Sequence, residues 1–357
     1  MKILVISLAG IGDTLFATPL IHELRANFRE AVIDAFVLWP GSRDILEGNS
    51  NLNTVFQKNL ITESPSDSLS YLWQLRRQHY DISFNTHPQS RRHYRVVAKI
   101  IGANTRVSHD YDHANELDRW LVNKALPQDY QQHSADNNLA LLELVGAKPK
   151  LPSHQYELFL SDAEKNWATE FVTKNRLGGR RLLGVHVGSG GTKNLALRRW
   201  PKENYAELFR ALNRRYPEVT VLLMGGPEEK AAHEFILREV NSSLVRQPET
   251  RSLRQAAALI KHCHAFLSVD TSLMHVATAV GVPQQIVIET PTLNKTVVPY
   301  GREFVLVENP SVAGKNLDYY RYDGNGIRGT AEELVRCMSA IKPETVLETV
   351  RRALVLG

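Results

Sequence analysis

Short apolar runs and longer segments with helically spaced apolar residues alternate along this chain. Residues 2–8 form the first apolar run and predict a strand, and the segment from Asp13 to Phe28 predicts an amphipathic helix. The same order recurs through the first 150 residues, with predicted strands at 31–38 and 80–85 and predicted helices at 69–79, 91–101 and 134–146. Strands separated by helices predict a parallel sheet.

A second alternation of strands and helices begins near residue 181. The predicted strands are 181–187, 219–224, 265–269 and 282–288, and the predicted helices are 202–215, 229–240, 252–262, 272–280, 331–340 and 343–354. A stretch rich in lysine and proline at 148–152 begins the expected linker, which extends to about Gly178. The length of 357 residues suits two domains. We therefore expect an α/β protein of two doubly wound domains with a cleft between them.

Composition and charge narrow the class of protein. The chain is 43% hydrophobic and 23% charged, which is ordinary for a globular protein. Two cysteines give no disulfide framework, no apolar run reaches the ~18 residues of a membrane span, and the first residues enter a strand without a leader-like pattern. We therefore expect a cytoplasmic protein. The net charge of +5 permits an acidic substrate or an anionic membrane face, and no motif predicts a nucleic-acid partner.

The turn after the first strand carries a carboxylate. Gly10 and Gly12 are spaced as in a dinucleotide fingerprint, but Leu15 replaces the third glycine and Asp13 occupies the helix N-terminus, where a pyrophosphate would bind. An anion at the carboxyl end of the first strand lies where such domains bind ligands. Asp13 is therefore a candidate general base, with a simple helix cap as the alternative.

Three turns of the second half carry residues suited to a nucleotide. Small residues at 188–191, followed by Arg198 and Arg199, suit phosphate oxygens, although such turns also occur without a ligand. The acids after Gly225-Gly226-Pro227 suit ribose hydroxyls or simply begin a helix. The segment 270–275 offers hydroxyls and amides at a helix N-terminus, with Asp270 as the expected cap.

The ordered set of these motifs resembles glycosyltransferase family 9, the bacterial heptosyltransferases that extend the inner core of lipopolysaccharide. The most specific marks are Gly12-Asp13-Thr14-Leu15 with Pro19, and the segment from Ser268 to Ala277. The supporting marks are His186-Val187-Gly188-Ser189-Gly190, Arg199-Trp200-Pro201, Gly225-Gly226-Pro227-Glu228, Ser252-Leu253-Arg254-Gln255-Ala256-Ala257 and Pro299-Tyr300-Gly301. The resemblance covers nearly the whole chain.

This resemblance implies a GT-B fold of two Rossmann-like domains. Residues 1–165 would bind the acceptor, residues 166–341 would bind the nucleotide-sugar, and residues 342–357 would form a helix that packs back on the first domain. Transfer in the family is inverting and needs neither a metal nor a cofactor. The implied donor is ADP-heptose, and the implied acceptor is an acidic glycolipid such as the lipopolysaccharide inner core. Peripheral contact with the anionic inner face of the membrane is a further expectation.

The resemblance also assigns roles to single residues. Asp13 matches the catalytic base. The implied donor-binding residues are Ser189, Gly190, Lys193, Arg198, Glu228, Glu229, Asp270, Thr271, Ser272 and His275. The expected acceptor-binding residues are Gly12, Thr14, His87, Arg91, Arg92 and Arg95, of which the arginines suit acidic sugars or form a solvated helix face. Arg198 stands where the family usually has lysine, so either Arg198 or Lys193 contacts the donor phosphates.

The same sequence features leave other functions open. The same fold and chemistry could use another nucleotide-sugar or a different glycan or protein acceptor. A non-catalytic nucleotide-sugar-binding protein is disfavoured by Asp13 in its usual context, and a nicotinamide dehydrogenase is disfavoured by the missing third glycine. The sequence His262-Cys263-His264 lacks a companion pair at metal-ligand spacing, so no metal site is expected there.

Overall fold

A computed structural model of the chain describes residues 1–191, 193–314, 316 and 326–356. The chain divides into two compact units, Met1–Phe159 and Leu160–Gly357. The divide falls six residues before the expected boundary at 165/166. None of the described helices combines the length and the apolar character that crossing a membrane requires.

The first unit is a parallel sheet of six strands with helices on it. The strands are β1 (Lys2–Ser7), β2 (Val32–Val37), β3 (Thr54–Gln57), β4 (Ile82–Asn85), β5 (Thr105–Asp110) and β6 (Lys124–Pro127). The helices are α1 (Ile11–Leu15), α2 (Thr18–Asn27), α3 (Pro40–Leu46), α4 (Pro65–Arg76), α5 (Arg92–Ile101), α6 (Glu116–Leu121) and α7 (Ser134–Ala140), and a 3₁₀ helix covers Leu141–Val145. The strand order is β3-β2-β1-β4-β5-β6.

The second unit repeats this arrangement. Its strands are β7 (Arg181–His186), β8 (Val219–Met224), β9 (Val245–Arg246), β10 (Ala265–Ser268), β11 (Gln284–Ile288) and β12 (Val305–Val307), in the order β12-β11-β10-β7-β8-β9. The helices that the structure describes in this unit are α8 (Asp162–Lys174), α9 (Lys202–Arg215), α10 (Lys230–Val240), α11 (Leu253–Ile260), α12 (Ser272–Val280), α13 (Ala331–Ser339) and α14 (Pro343–Ala353), with 3₁₀ helices at Leu195–Arg198 and Pro227–Glu229.

The order of the strands determines where each sheet can bind a ligand. In the first unit the chain winds outward from β1 in one direction and from β4 in the other, while β1 and β4 are neighbours. In the second unit β7 and β10 are the corresponding pair. The loops leaving two such strands diverge and open a crevice at their carboxyl ends. The loops after β1, β4, β7 and β10 are therefore the places to look for chemistry.

Several elements differ from the sequence prediction. The helix expected from residue 13 to 28 is divided into α1 and α2, because Phe16 and Ala17 interrupt it ahead of Pro19 in the first turn of α2. The linker expected up to Gly178 instead contains α8. Its start is a capping box in which Ser161 and Glu164 bind each other's backbone N–H, a signal present in the sequence.

Strands β3, β5 and β6 of the first unit, and β9 and β12 of the second unit, were not predicted. β3 and β6 have only four residues each, and β6 lies at the sheet edge with half of its residues exposed, so neither carries a long apolar run. The C-terminal helix α14 was predicted, and its buried residues Val346, Leu347 and Val350 belong to the core of the second unit. The expected packing of this helix on the first domain stays a prediction.

Candidate functional site

The turn between β1 and α1 presents Asp13 at the crevice of the first unit. Its Oδ2 accepts a hydrogen bond of 2.7 Å from the backbone N–H of Gly10, immediately before α1. A Cβ atom on Gly10 would lie 2.9 Å from that same oxygen, so glycine makes room for the carboxylate. The helix-cap contact expected as an alternative is therefore present, and it fixes the carboxylate at the carboxyl end of β1.

The residues on either side of Asp13 serve packing. Gly12 is buried, and the buried hydroxyl of Thr14 donates to Ser42 Oγ of α3 at 2.9 Å. A Cβ on Gly41 would lie 2.7 Å from Ile11 Cδ1, so a glycine in α3 permits the close approach of α1. This packing holds the turn that carries Asp13. The acceptor-binding role of Gly12 and Thr14 stays a prediction.

The loop after β4 is bound to the end of β1 by Gln89. Gln89 Oε1 accepts from Leu8 N at 3.2 Å, and Gln89 Nε2 donates to Ile6 O at 2.5 Å and to Thr86 O at 2.8 Å. One buried side chain thus joins the two loops of the crevice and supports the backbone that leads to Asp13. The sequence prediction missed Gln89, although a glutamine in a strand-end loop was an available signal.

His87 lies in the interior of that loop. Its backbone N–H donates to Asn138 Oδ1 at 2.6 Å, and its Nδ1 lies 3.0 Å from the hydroxyl of Tyr111. Burial, together with the nearby His109 and His133, holds the pKa of His87 well below its usual value. A neutral, buried imidazole shapes the loop and supplies no positive charge to an acidic acceptor.

The three arginines near α5 have different environments. Arg91 precedes the helix as its exposed N-cap residue. Arg92 is exposed and forms a fork with Asp118, at 2.9 Å from Nε to Oδ1 and 3.2 Å from Nη2 to Oδ2. Arg95 is only 1% exposed and donates to His109 O at 2.6 Å. Arg95 is therefore not part of the solvated basic helix face that was the alternative to acceptor binding. Its guanidinium supports β5 instead, and of the three only Arg91 and Arg92 lie at the surface.

In the second unit, Glu229 lies under the glycine turn that follows β7. Its Oε2 accepts from Gly226 N at 2.9 Å, and a Cβ on Gly188 would overlap its Oε1. His186 Nε2 lies 3.7 Å from Oε2, and Arg199 Nη2 lies 3.6 Å from Oε1. Burial raises the pKa of Glu229, but His186, the Gly226 N–H and Arg199 outweigh burial and leave it below its usual value. Glu229 is thus a buried anion that joins the two glycine turns.

The two acids expected to hold a ribose are therefore not equivalent. The side chain of Glu229 is 7% exposed, and both of its carboxylate oxygens contact neighbouring residues. The side chain of Glu228 is 64% exposed, and its Oε2 lies 3.8 Å from Arg199 Nη2. Of these two acids, Glu228 is the one that offers an accessible carboxylate beside the turn. The ribose contact stays a prediction, and the environment favours Glu228 for it.

We expect Gly188→Ala to destabilise the second unit, because the new methyl group must displace the Glu229 carboxylate. Overpacking of this kind costs roughly 1–3 kcal/mol of unfolding free energy. Gly178→Ala is the matched control, because a Cβ there meets no atom within 4 Å. Chemical denaturation monitored by circular dichroism measures both variants. Equal stability of the two would contradict the packing of Glu229 against the turn.

The carboxyl end of β10 forms a buried ion pair with the segment before α9. Arg198 Nη1 lies 2.7 Å from Asp270 Oδ2, and the two side chains are 12% and 11% exposed. The prediction that Asp270 caps α12 is wrong: Thr271 occupies the N-cap position, and the carboxylate binds Arg198 instead. The structure thus brings together the two residues that were expected to contact the donor phosphates and the sugar.

Two threonines complete this cluster. Thr292 Oγ1 accepts from Arg198 Nη1 at 3.1 Å and donates to Asp270 Oδ2 at 3.2 Å. Its other neighbour is Thr290 Oγ1 at 3.2 Å, which itself accepts from Leu293 N. Because the Thr292 proton goes to Asp270, Thr290 must donate to Thr292, so the chain of hydroxyls has one direction. The sequence prediction missed both threonines, although Thr290-Pro291-Thr292 follows β11 closely.

The other expected donor residues occupy the same strand ends. Ser189 Oγ donates to Leu195 O at 2.9 Å, and its carbonyl accepts from Arg199 Nη2 at 2.8 Å, so its polar atoms hold the turn together. Gly190 and Lys193 are exposed, and Lys193 adopts a positive φ of 56°. At the start of α12, Thr271 and His275 are buried and Ser272 is partly exposed. Thr192, between Gly190 and Lys193, lies outside the described residues.

Within the described ranges, no three His, Cys, Asp or Glu side chains come together in a way that could hold a metal ion. Cys263 of the His262-Cys263-His264 sequence is buried, and burial raises the pKa of its thiol to about 12.

Comparison with known proteins places this chain in a family. The sequence model described as "Glycosyltransferase family 9 (heptosyltransferase)" matches residues 69–321. The chain belongs to this family. It is therefore a glycosyltransferase, and its two six-stranded parallel sheets are those of the GT-B class of α/β folds.

Curated relatives and solved structures agree with this assignment. Lipopolysaccharide heptosyltransferase 3 of Escherichia coli K12 is 25% identical over 284 residues, which are 76% of this chain and 78% of the relative. The crystal structure of a family 9 glycosyltransferase from Veillonella parvula has a TM-score of 0.76 at 22% identity and covers 100% of this chain and 97% of that one. The E. coli ADP-heptose lps heptosyltransferase II has a TM-score of 0.74 at 22% identity, covering 99% of both chains.

Proposed function

We propose that this enzyme transfers heptose from ADP-heptose, with inversion and without a metal, to an acidic glycolipid such as the lipopolysaccharide inner core. The observation that carries the proposal is the Asp13 carboxylate at the carboxyl end of β1, fixed by Gly10 N in the crevice of a family 9 chain. The relatives whose names include lipopolysaccharide heptosyltransferase support the sugar and the acceptor.

In the proposed reaction, Asp13 acts as the general base. Its carboxylate takes the proton of the acceptor hydroxyl as that oxygen attacks the anomeric carbon, and the bond from this carbon to the diphosphate breaks. Attack from the face opposite the diphosphate inverts the anomeric configuration. The hydrogen bond from Gly10 and the close packing of α1 against α3 hold the base in one orientation, which limits the reorganisation needed at the moment of transfer.

The second unit supplies groups suited to the departing diphosphate. Negative charge grows on the leaving oxygen, so fixed donors lower the barrier. Either Arg198 or Lys193 is the cation expected to face it, and the backbone of the 188–191 turn and the start of α12 add N–H donors. Asp270, oriented by Arg198 and Thr292, would accept from sugar hydroxyls. Glu228 would bind the ribose.

A membrane-anchored acceptor would bring the enzyme to a bilayer. Arg91 and Arg92 are surface cations near the crevice of the first unit and suit acidic sugars or phosphates. Because such a glycolipid is anchored in a bilayer, we also propose that the enzyme makes peripheral contact with an anionic membrane face.

The test is a panel of ADP- and UDP-sugars, scored first by thermal stabilisation of the free enzyme and then by transfer to lipopolysaccharide lacking outer sugars, with EDTA present throughout. Ligands that bind the folded state raise the unfolding temperature. We expect stabilisation by ADP-heptose alone among the sugars and undiminished transfer in EDTA, with an inverted anomeric centre in the product. Stabilisation by a different nucleotide-sugar would reassign the donor, and loss of activity in EDTA would refute metal independence.

A further inference from the structure

Helices α4, α5 and α6 lie side by side on one face of the first sheet and leave large apolar side chains exposed. Trp73 of α4 is 50% exposed and Trp120 of α6 is 62% exposed. Leu69 lies one turn before Trp73, and Leu117 lies one turn before Trp120, with exposures of 45% and 48%. Helices α4, α5 and α6 follow strands β3, β4 and β5 in turn, and each helix runs antiparallel to the strands.

Cationic groups connect the two tryptophans. The Arg76 guanidinium carbon lies 5.3 Å from the centre of the Trp73 ring, and Arg76 Nη1 donates to Ile100 O at the end of α5. Lys99, the residue before Ile100, places its Nζ 4.0 Å from the centre of the Trp120 ring. Trp73, Arg76, Lys99 and Trp120 thus form a continuous strip across three helices, which we call the tryptophan strip.

The charge of this face favours an anionic partner. Besides the buried Arg95, the three helices carry four cationic side chains (Arg76, Arg92, Lys99 and Arg119) and three carboxylates (Asp67, Glu116 and Asp118). Arg92 is already paired with Asp118 and Arg119 with Asp110, whereas Arg76 and Lys99 form no salt bridge within the described part of the chain. The positive charge of the strip is therefore not balanced by its own carboxylates.

We infer that the tryptophan strip, with Leu69 and Leu117 beside it, is the surface by which the enzyme docks on an anionic lipid bilayer. Tryptophan rings settle at the level of lipid headgroups, leucines enter the acyl boundary, and lysine and arginine bind the anionic headgroups. This inference rests on the proposed membrane contact and names its surface. The strip occupies the C-terminal ends of α4, α5 and α6, at the edge of the sheet opposite the strand ends that carry Asp13.

The inference is tested by co-sedimentation of the whole enzyme with vesicles of phosphatidylcholine alone and of phosphatidylcholine with phosphatidylglycerol. We expect binding only to the anionic vesicles, weakened by salt. Trp73→Ser with Trp120→Ser, and separately Lys99→Glu, should each lower the bound fraction at least about tenfold. Trp167→Ser and Lys230→Glu in the second unit are the matched controls and should bind like wild type. When brominated phosphatidylcholine is included in the anionic vesicles, it should quench the tryptophan fluorescence of the wild-type enzyme. Most of this quenching should be lost in the variant that combines Trp73→Phe with Trp120→Phe.

The outcomes separate this surface from the proposed function. Strip variants that bind like wild type would overturn the surface while leaving membrane contact and catalysis standing. If the wild-type enzyme does not co-sediment with anionic vesicles, the proposed membrane contact is refuted as well, while the proposed heptose transfer is unaffected. A third outcome is that the wild-type enzyme does not bind vesicles but self-associates in sedimentation equilibrium, and that Trp73→Ser with Trp120→Ser abolishes this self-association. That result would assign the strip to contact with a second copy of the chain and refute the inference. Stabilisation by ADP-heptose, unchanged in every variant, shows that the variants are folded.

Discussion

Asp13→Asn is expected to lower the rate constant of transfer by at least about a thousandfold, within the range that general bases contribute. The amide keeps the size of the side chain, and its oxygen can still accept the hydrogen bond from Gly10 N, so the turn should fold unchanged. It cannot take a proton from the acceptor hydroxyl. Initial rates at saturating donor and acceptor measure the effect, and thermal stabilisation by the donor should match that of wild type.

Asp67→Asn is the matched control for this experiment. Asp67 stands three residues after the Ser64 cap of α4, as Asp13 stands three residues after Gly10, and both carboxylates lie in the first turn of a helix. A loss of helix-terminus electrostatics alone would therefore affect both variants alike. Transfer that survives in Asp13→Asn at near wild-type rate, or a loss of donor binding instead of transfer, would remove Asp13 from the role of base.

The strand ends of the crevices were predictable from the sequence because each rests on a local pattern. An apolar run followed by a glycine turn marks the end of a buried strand, and the residue after the turn then lies at the carboxyl end of that strand. Asp13 was found in this way, whereas Asp270 directly follows an apolar run without a glycine turn. Both lie after the strands where their sheets change direction. Long helices with regular spacing, such as α9 and α12, were also predicted with their observed bounds.

What the sequence could not provide is the set of partners that a side chain acquires from distant segments. Arg198 and Asp270 are 72 residues apart, and nothing local predicts that they pair. Glu228 and Glu229 are adjacent and chemically identical, yet only the fold makes one a buried anion against Gly188 and the other a surface carboxylate. Arg95 has the polar character of a ligand-binding residue but is buried by the packing of α5.

Arg198→Met is expected to destabilise the folded enzyme by about 3–5 kcal/mol, because it removes one partner of a buried ion pair and leaves the other charge unpaired. Among the residues that the structure describes, Asp270 would then keep the hydrogen bond from the hydroxyl of Thr292. Arg215→Met is the matched control: Arg215 pairs with Glu344 at the same distance of 2.7 Å, but its side chain is 46% exposed, and exposed pairs contribute little. Denaturant unfolding of both variants measures the difference.

A double-mutant cycle then separates support of the fold from contact with the donor. Asp270→Asn with Arg198→Met removes both charges, so the pair should be destabilised by less than the sum of the single variants. If both residues also contact the donor, the double variant can regain free energy of unfolding, but ADP-heptose should still fail to raise its unfolding temperature. Stability and donor binding that recover together would limit the pair to a structural role. An Arg198→Met variant as stable as Arg215→Met would show that the carboxylate of Asp270 does not depend on Arg198.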